Sequence, residues 1–287
     1  MLSESQLADW RRDGFLKLPG LAPVERCEAL KAHVGELLAG VDNAGDGPGD
    51  GALTVFSTTE QSHAQDEWFL GSGDTVRWFL EDGAVVDGKL TRPLPLAVNK
   101  LGHAMHDLDP VFDEFSRAPE LAAVVDGLGM NDPKLLQSMY IFKQPGIGGE
   151  VICHCDHSFL WTEPQSVIGL WFAVEDATVD NGCLWAVPGG HRIPAKTRFR
   201  LVDPDDRSLG AVTDVLDETP YPTQDLVPLE AAAGTLIALH GTLPHYSAAN
   251  TSPRSRHAYT LHIIDGRADY PADNWLQRGP DLPLRGF

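Results

Sequence analysis

Cysteine is scarce in this sequence, with four residues in 287. So few cysteines in a chain of this length do not make a disulfide scaffold, which excludes the small cross-linked folds of secreted proteins. Cys153 and Cys155 share one predicted strand, and Cys27 lies in a predicted helix. We therefore expect all four cysteines to be reduced thiols in a cytosolic protein.

Basic residues are also few: 22 Lys and Arg stand against 41 Asp and Glu, a formal net charge of −19. Binding along a nucleic-acid backbone depends on a basic surface, so this balance predicts no nucleic-acid partner. It also weakly disfavours a large polyanionic substrate such as a coenzyme A thioester, although a local basic pocket would override the average. The ordinary interpretation of the acidity is solubility.

Long hydrophobic runs are absent. The longest, Val167–Val174, is far shorter than the roughly 20 residues that cross a membrane as a helix. The first ten residues lack the basic start and apolar segment of a secretory signal, and the last four, Leu284 to Phe287, differ from the peroxisomal signal Ser-Lys-Leu. We therefore expect a cytoplasmic protein with no membrane partner.

Flexible linkers and internal repeats are missing too, which predicts a single domain over residues 1–287. Within it, residues 1–133 are expected to form a helical scaffold and lid with some strands. Residues 134–265 are expected to form a β core, and residues 266–287 a C-terminal tail.

Helical patterns are concentrated in the first part of the chain. Ser3–Arg12 begins with Ser3 and Gln6 at capping-box spacing. Apolar residues recur at helical spacing between Pro23 and Leu38. We also predict helices over Glu67–Leu80 and Pro110–Leu128, and a surface loop over the Gly- and Asp-rich residues 40–51.

Strands dominate from Lys134 onward. Short β-branched and aromatic segments alternate there with turn signals, at residues 137–143, 167–174, 182–188, 234–239 and 256–264, and a further short strand is predicted near the start of the chain at residues 15–18. Such a series indicates a sandwich or barrel. The predicted fold is mainly β with flanking helices, on a double-stranded β-helix core (a jelly roll, cupin-like).

The sequence 151–157 contains His154 and Asp156 at i, i+2 spacing. On an extended strand, both side chains point to the same face and Cys155 points to the other. Two imidazoles and one carboxylate are the ligand set of non-haem Fe(II) oxygenases, and they leave about three open positions on an octahedral ion. A third ligand must come from elsewhere, and we expect it on the opposite sheet of the roll.

Two histidines compete for that third position, since His240 precedes His245 by five residues. On one continuous strand, this odd separation places them on opposite faces. His245 is followed after eleven residues by Arg256, whose planar guanidinium suits a carboxylate. We predict His245 as the ligand and interpret His240 as a core or supporting residue. Arg256 could instead be half of a structural salt bridge.

At these residues the chain resembles the phytanoyl-CoA dioxygenase family, and the similar stretches span nearly its whole length. They are residues 69–74, 99–103, 137–145, 173–177, 181–185, 240–247, 254–256 and 274–277. The resemblance implies an iron- and 2-oxoglutarate-dependent oxygenase with a double-stranded β-helix core. One departure is Cys155, which stands where the family often has Gln.

By that resemblance, the iron ligands are His154, Asp156 and His245, and Arg256 pairs with the distal carboxylate of 2-oxoglutarate. Other co-substrate contacts fall at Lys100, Met139, Trp171 and Ser247. The implied cofactor is Fe(II), with 2-oxoglutarate and O₂ as co-substrates and ascorbate as a supporting reductant. The implied partner is a small-molecule substrate, and the oligomeric state stays open.

The expected reaction is hydroxylation of a C–H bond with release of succinate and CO₂. Related halogenases carry a small residue at the position of Asp156, which frees a place for chloride, so a carboxylate there favours oxygenation. Two alternatives stay open: the same centre catalysing cyclisation, epimerisation or desaturation, and a cupin-like metal protein without turnover.

Overall fold

The computed structural model describes residues 2–40, 54–56 and 62–287. The described helices are α1 Glu4–Asp13, α2 Val24–Ala39, α3 Glu67–Leu70, α4 Met105–Leu108, α5 Pro110–Ser116 and α6 Pro119–Gly127. No described helix is long and apolar enough to cross a membrane.

The predicted strand segments are confirmed, with ends that differ by a few residues, and the structure adds strands that were not predicted. The described strands are β1 Phe15–Leu18, β2 Val76–Leu80, β3 Val85–Val86, β4 Lys89–Leu90, β5 Val98–His103, β6 Pro133–Ile141, β7 Val151–His154, β8 Ile168–Ala173, β9 Leu184–Ala186, β10 Thr197–Leu201, β11 Ala211–Val215, β12 Val227–Leu229, β13 Leu236–His240, β14 His245–Ser247 and β15 Ala258–Asp265.

Two antiparallel sheets form the core. The larger has the order β1-β13-β8-β15-β6-β5-β2, and the smaller has the order β12-β9-β14-β7. Hydrophobic side chains fill the space between them, including Trp171, Ala173 and Ile237 from the larger sheet and Leu184 from the smaller. This arrangement confirms the predicted mainly β jelly roll with flanking helices.

Strand β8 shows why the core strands form continuous apolar runs in the sequence. Leu170 and Phe172 pack in the cluster that includes the helices, whereas Trp171 and Ala173 pack between the two sheets. Because side chains alternate and both faces of β8 are covered, every residue of the strand is buried.

Helix α1 begins as its capping pattern predicts. The Ser3 hydroxyl accepts from the Gln6 backbone N–H at 3.2 Å, and the Gln6 side chain accepts from Ser3 N–H at 2.8 Å. Such a cap contributes about 1 kcal/mol. Helix α2 buries Cys27, Leu30 and Val34 on one face, as the helical spacing predicts.

Two helix predictions are wrong in part. Glu67–Leu80 is helical only to Leu70 and then turns through Gly71 and Gly73, after which the β-branched and aromatic residues of β2 join the edge of the larger sheet. A β-carbon at Gly73 would lie 2.5 Å from the Gln277 carbonyl oxygen, so this turn packs against the C-terminal part of the chain where only glycine fits. Pro110–Leu128 is broken before Pro119, because proline disfavours helical geometry at the preceding residue.

The sheet order also shows where the strands of the predicted N-terminal scaffold, residues 1–133, lie. Strands β1, β2 and β5 come from the expected scaffold region but pair within the larger sheet. The partition itself stays a prediction, and the predicted loop over residues 40–51 lies outside the described residues apart from Gly40. The four cysteines, all described, are free thiols.

Candidate metal centre and active site

His154 and His245 meet because their strands are neighbours. His154 ends β7, His245 begins β14, and the two residues are paired across these strands of the smaller sheet. Their ring centres are 4.3 Å apart. The expectation that the ligands come from opposite sheets was therefore wrong for the two histidines, because the β7–β14 pairing joins segments about 90 residues apart and leaves no local signal.

Asp156 joins the pair from just beyond the strand. β7 ends at His154, and Asp156 opens a short 3-10 turn. The intervening Cys155 keeps extended geometry (φ −126°, ψ 148°), so the two flanking side chains still share a face, as expected. Cys155 is buried on the other side, where its Sγ lies 3.3 Å from Ser158 Oγ.

One atom from each of His154, Asp156 and His245 lies within 4.8 Å of the other two. Asp156 Oδ1 is 3.9 Å from His154 Nε2 and 3.6 Å from His245 Nε2. Among the described residues, these three are the group of His, Cys, Asp or Glu that is arranged to hold a metal ion.

Backbone carbonyls hold the imidazoles of His154 and His245 in the tautomer that can bind a metal through Nε2. His154 Nδ1 lies 2.8 Å from the Ile152 carbonyl oxygen, and His245 Nδ1 lies 3.0 Å from that of Leu243. A ring nitrogen facing a carbonyl carries the proton, which leaves the Nε2 lone pair of each ring free for a metal. Burial lowers the pKa of His154 to about 4, which favours this neutral form at neutral pH.

The Asp156 carboxylate supplies the anionic donor. Burial raises its pKa, but the imidazoles of His262 and His245 outweigh that effect and hold the pKa well below its ordinary value. The carboxylate is therefore ionised at neutral pH. Two neutral imidazoles and one carboxylate fit a divalent iron with open positions.

Arg256 contacts Ser247 of β14, the strand that begins with His245, and is fully buried at 1% exposure. Its Nε donates to the Gly182 carbonyl oxygen at 3.1 Å and its Nη2 to Ser247 Oγ at 3.4 Å, while Nη1 has no hydrogen-bond partner in the described structure. Burial lowers the pKa of Arg256 to about 10, so it remains a cation at neutral pH. The guanidinium forms no salt bridge with a described carboxylate, which removes the structural ion-pair alternative.

The other predicted co-substrate residues are distributed around the same inter-sheet space. The Arg256 guanidinium lies over the Trp171 ring, with Arg256 Cζ 5.3 Å from the ring centre. Met139 pairs with Thr260, which pairs in turn with Trp171, so the three form one row on the larger sheet. Lys100 Nζ lies 3.2 Å from the Phe56 ring centre, and burial lowers the Lys100 pKa to about 7.

A cavity of about 610 Å³ opens onto the candidate metal ligands. His154, Asp156, Lys100 and Met139 line it, whereas His245, Arg256, Ser247 and Trp171 are not among its lining residues. Aromatic side chains supply much of its wall, namely Phe56, Phe69, Phe159, Phe199, Tyr221 and Trp275. Apolar walls with a few converging polar groups are typical of a small-molecule site.

His240 does not join the candidate metal site. It ends β13 in the larger sheet, its Nδ1 lies 2.9 Å from Thr242 Oγ1, and its ring packs near Trp10 and His191. The continuous strand assumed from the sequence does not exist, because a turn separates it from β14. The interpretation of His240 as a supporting residue outside the ligand set agrees with this position.

His262 was not predicted as a site residue, yet it lines the cavity and its Nε2 lies 3.4 Å from Asp156 Oδ2. A signal was available: His262 follows Arg256 by six residues on a predicted strand, and even spacing places both on one face.

The comparisons with known proteins agree with this geometry. The family description "Phytanoyl-CoA dioxygenase (PhyH)" matches residues 10–258. The chain belongs to this family. The match covers the candidate metal ligands and Arg256, and it confirms the resemblance seen in the sequence.

Similar curated proteins cover nearly the whole chain. A Dictyostelium discoideum protein named phytanoyl-CoA dioxygenase domain-containing protein 1 homolog is 41% identical over 278 residues, 96% of each chain. The Mus musculus phytanoyl-CoA dioxygenase domain-containing protein 1 is 41% identical over 99% of this chain and 97% of its own. An Arabidopsis thaliana protein named phytanoyl-CoA dioxygenase is 40% identical over 96% of this chain and 94% of its own.

Solved structures share the fold at lower identity. The epimerase SnoN, in complex with Fe³⁺, α-ketoglutarate and nogalamycin RO, has a TM-score of 0.64 at 18% identity, covering 99% of this chain and 92% of its own. EctD from S. alaskensis, in its apoform, has a TM-score of 0.63 at 19% identity, covering 99% and 84%. These likenesses support the jelly-roll fold of this family member.

Proposed function

We propose that this chain is an Fe(II)- and 2-oxoglutarate-dependent dioxygenase that hydroxylates a C–H bond of a small organic molecule. One observation carries the proposal: three atoms suited to a ferrous ion converge, and a buried arginine that lacks an anionic partner among the described residues contacts Ser247, two residues from His245 on β14. A buried cation costs several kcal/mol unless it is paired. The distal carboxylate of 2-oxoglutarate would supply that pairing.

Each residue then has a defined task. His154, Asp156 and His245 would hold the ion, which when bound couples decarboxylation of 2-oxoglutarate to succinate with O₂ activation. Arg256 and Ser247 bind the distal carboxylate; Ser247 lies on β14, two residues from His245. Lys100, Met139 and Trp171 complete the co-substrate pocket. The aromatic cavity wall excludes water from the reacting bond.

The proposed function is tested by succinate formation. Protein supplied with Fe(II), 2-oxoglutarate, O₂ and ascorbate, which keeps the iron reduced, should release succinate slowly even without its organic substrate. His240→Ala is the matched control, because that histidine lies outside the site. A wild-type rate no higher than that of His245→Ala would instead support a metal-binding protein without turnover.

The charge of the described cavity rim supports a substrate class. The exposed lining residues include the carboxylates Asp82, Glu150 and Asp217 but no lysine or arginine. Lys100, Lys143 and Lys196 also line the cavity, but all three are buried. Lys196 Nζ is 2.6 Å from Asp217 Oδ2 and 2.5 Å from Thr219 Oγ1, so it forms an ion pair with Asp217. The sequence of the stretches outside the described residues, 41–53 and 57–61, also contains no lysine or arginine.

The exposed carboxylates of Asp82 and Glu150 at this rim disfavour anions. We propose an uncharged or cationic substrate with an apolar body, rather than the coenzyme A thioester that the name of the Arabidopsis relative indicates for that protein. Product mass then separates the possible outcomes: hydroxylation adds one oxygen, cyclisation or desaturation removes two hydrogens, and epimerisation leaves the mass unchanged.

A further inference from the structure

The two oxygens of the Asp156 carboxylate have different surroundings. Oδ1 faces the imidazoles of His245 and His154 at 3.6 and 3.9 Å. Oδ2 is turned toward the larger sheet, where it forms no hydrogen bond with a described residue and lies 3.4 Å from His262 Nε2. The side chain is buried, at 7% exposure. A buried carboxylate oxygen without a hydrogen bond needs an explanation, since leaving it unsatisfied costs free energy.

His262 and Gly169 form the surface against which Oδ2 rests. They are directly paired across β15 and β8, so both face the inter-sheet space. A β-carbon at Gly169 would lie 2.7 Å from Asp156 Oδ2 and 3.7 Å from His262 Nε2. Gly169 is therefore required for space, because any larger residue would push the carboxylate off the sheet.

We propose that His262 is a positioning residue which, together with Gly169, holds Asp156 by its outer oxygen so that only Oδ1 is presented to the metal. His262 is buried at 6% exposure, and its Nδ1 has no hydrogen-bond partner among the described residues. With the proton on Nε2, the imidazole donates toward Oδ2 and limits rotation of the carboxylate. A carboxylate that binds through one oxygen leaves more of the ion open for the co-substrates.

The proposal rests on the proposed metal centre but not on turnover, so metal binding by the metal-free protein tests it. Co(II) is a suitable probe, because its visible absorption reports the ligand geometry. His262→Leu removes the donor and keeps an apolar side chain, whereas His262→Gln keeps a donor of similar reach. We expect His262→Leu to weaken Co(II) binding by roughly 10- to 100-fold, the usual effect of losing a residue that supports a ligand, and to alter the spectrum. His262→Gln should restore both to within a few-fold of wild type.

Gly169→Ala tests the same contact without removing a polar group. It therefore tests the proposal even if His262→Leu does not fold. It should also weaken Co(II) binding. Its effect should not add to that of His262→Leu, because both changes release Asp156 Oδ2. His240→Leu and Gly35→Ala are the matched controls; a β-carbon at Gly35 meets no atom within 4 Å.

Unchanged Co(II) affinity and spectrum in His262→Leu and Gly169→Ala would overturn the proposal, as would equal losses in His262→Leu and His262→Gln. Succinate formation by wild-type protein is measured separately. Protein that binds Co(II) as described but makes no succinate would contradict the proposed function and leave the role of His262 intact.

Discussion

The guanidinium carbon of Arg256 lies 5.3 Å from the centre of the Trp171 ring, and both side chains are buried. The ring face attracts the cation, but it offers no hydrogen-bond acceptor to the unpaired Nη1. The pair therefore holds a positive charge in a fixed orientation without neutralising it. A ligand with a carboxylate at this position would gain both an ion pair and a missing hydrogen bond.

Arg256→Ala should raise the concentration of 2-oxoglutarate needed for half-maximal succinate formation. Loss of a charge-assisted pair costs about 2 kcal/mol, or roughly 30-fold in affinity. Arg256→Lys should recover only part of the loss, because an ammonium cannot bind a carboxylate with two parallel hydrogen bonds. Titration of 2-oxoglutarate against succinate rate measures the effect. Arg254→Ala is the control, since this nearby arginine is exposed, and an unchanged requirement in Arg256→Ala would contradict its role.

His245→Ala and Asp156→Ala should each abolish succinate formation together with metal binding. Each removes one of three ligands, and the remaining two hold an ion too weakly and leave the wrong positions open. Metal content after dialysis and succinate release measure the two effects in the same samples. Turnover retained by either variant, with His240→Ala at the wild-type rate, would refute the ligand assignment.

Local sequence patterns predicted several of the core strands but not their partners. Strand β8 is recognisable from its own residues, whereas the β7–β14 pairing that joins His154 to His245 depends on chain segments far apart. The error at residues 67–80 has the same origin. Apolar spacing there resembles a helix, yet residues 76–80 pair with the distant strand β5, and Gly73 lies close against the chain at Gln277.

The candidate site was predictable to a similar extent. The spacing of His154 and Asp156 placed both on one face, and this held although Asp156 lies past the strand end. The buried, unpaired state of Arg256 was not predictable, because a sequence does not show which carboxylates approach a guanidinium. Gly169 carried no local signal either, since its importance comes from the position of Asp156 Oδ2.

Lys100→Met should raise the free energy of unfolding of the metal-free protein at pH 6, and its advantage over wild type should decrease as the pH rises. Burial lowers the Lys100 pKa from 10.5 to about 7, so folding disfavours its charged form. Below about pH 7 Lys100 is charged in the folded protein, so the free energy of unfolding is lowered by the full effect of burying that charge. Between about 7 and 10.5 the unfolded chain holds the proton that the folded chain has lost, and wild-type stability rises with pH relative to the variant. Urea unfolding across this range measures the difference, with Lys89→Met, an exposed lysine, as the control; a stability difference that stays constant with pH would contradict a lowered Lys100 pKa.

Glu150→Lys combined with Asp82→Lys should convert the described rim from one that repels anions to one that attracts them. We expect lauroyl-CoA to bind the wild-type protein weakly and the double variant at least ten-fold more tightly, with the gain falling as salt is added, because exposed charges are screened. Dodecanol, which shares the chain length without the charge, should bind both proteins alike. Isothermal titration at low and high salt measures all four affinities, and Glu25→Lys with Glu28→Lys on helix α2 repeats the change in net charge away from the cavity. Tight binding of lauroyl-CoA to the wild-type protein, or an equal gain in the helix α2 variant, would show that the rim carboxylates do not select the substrate.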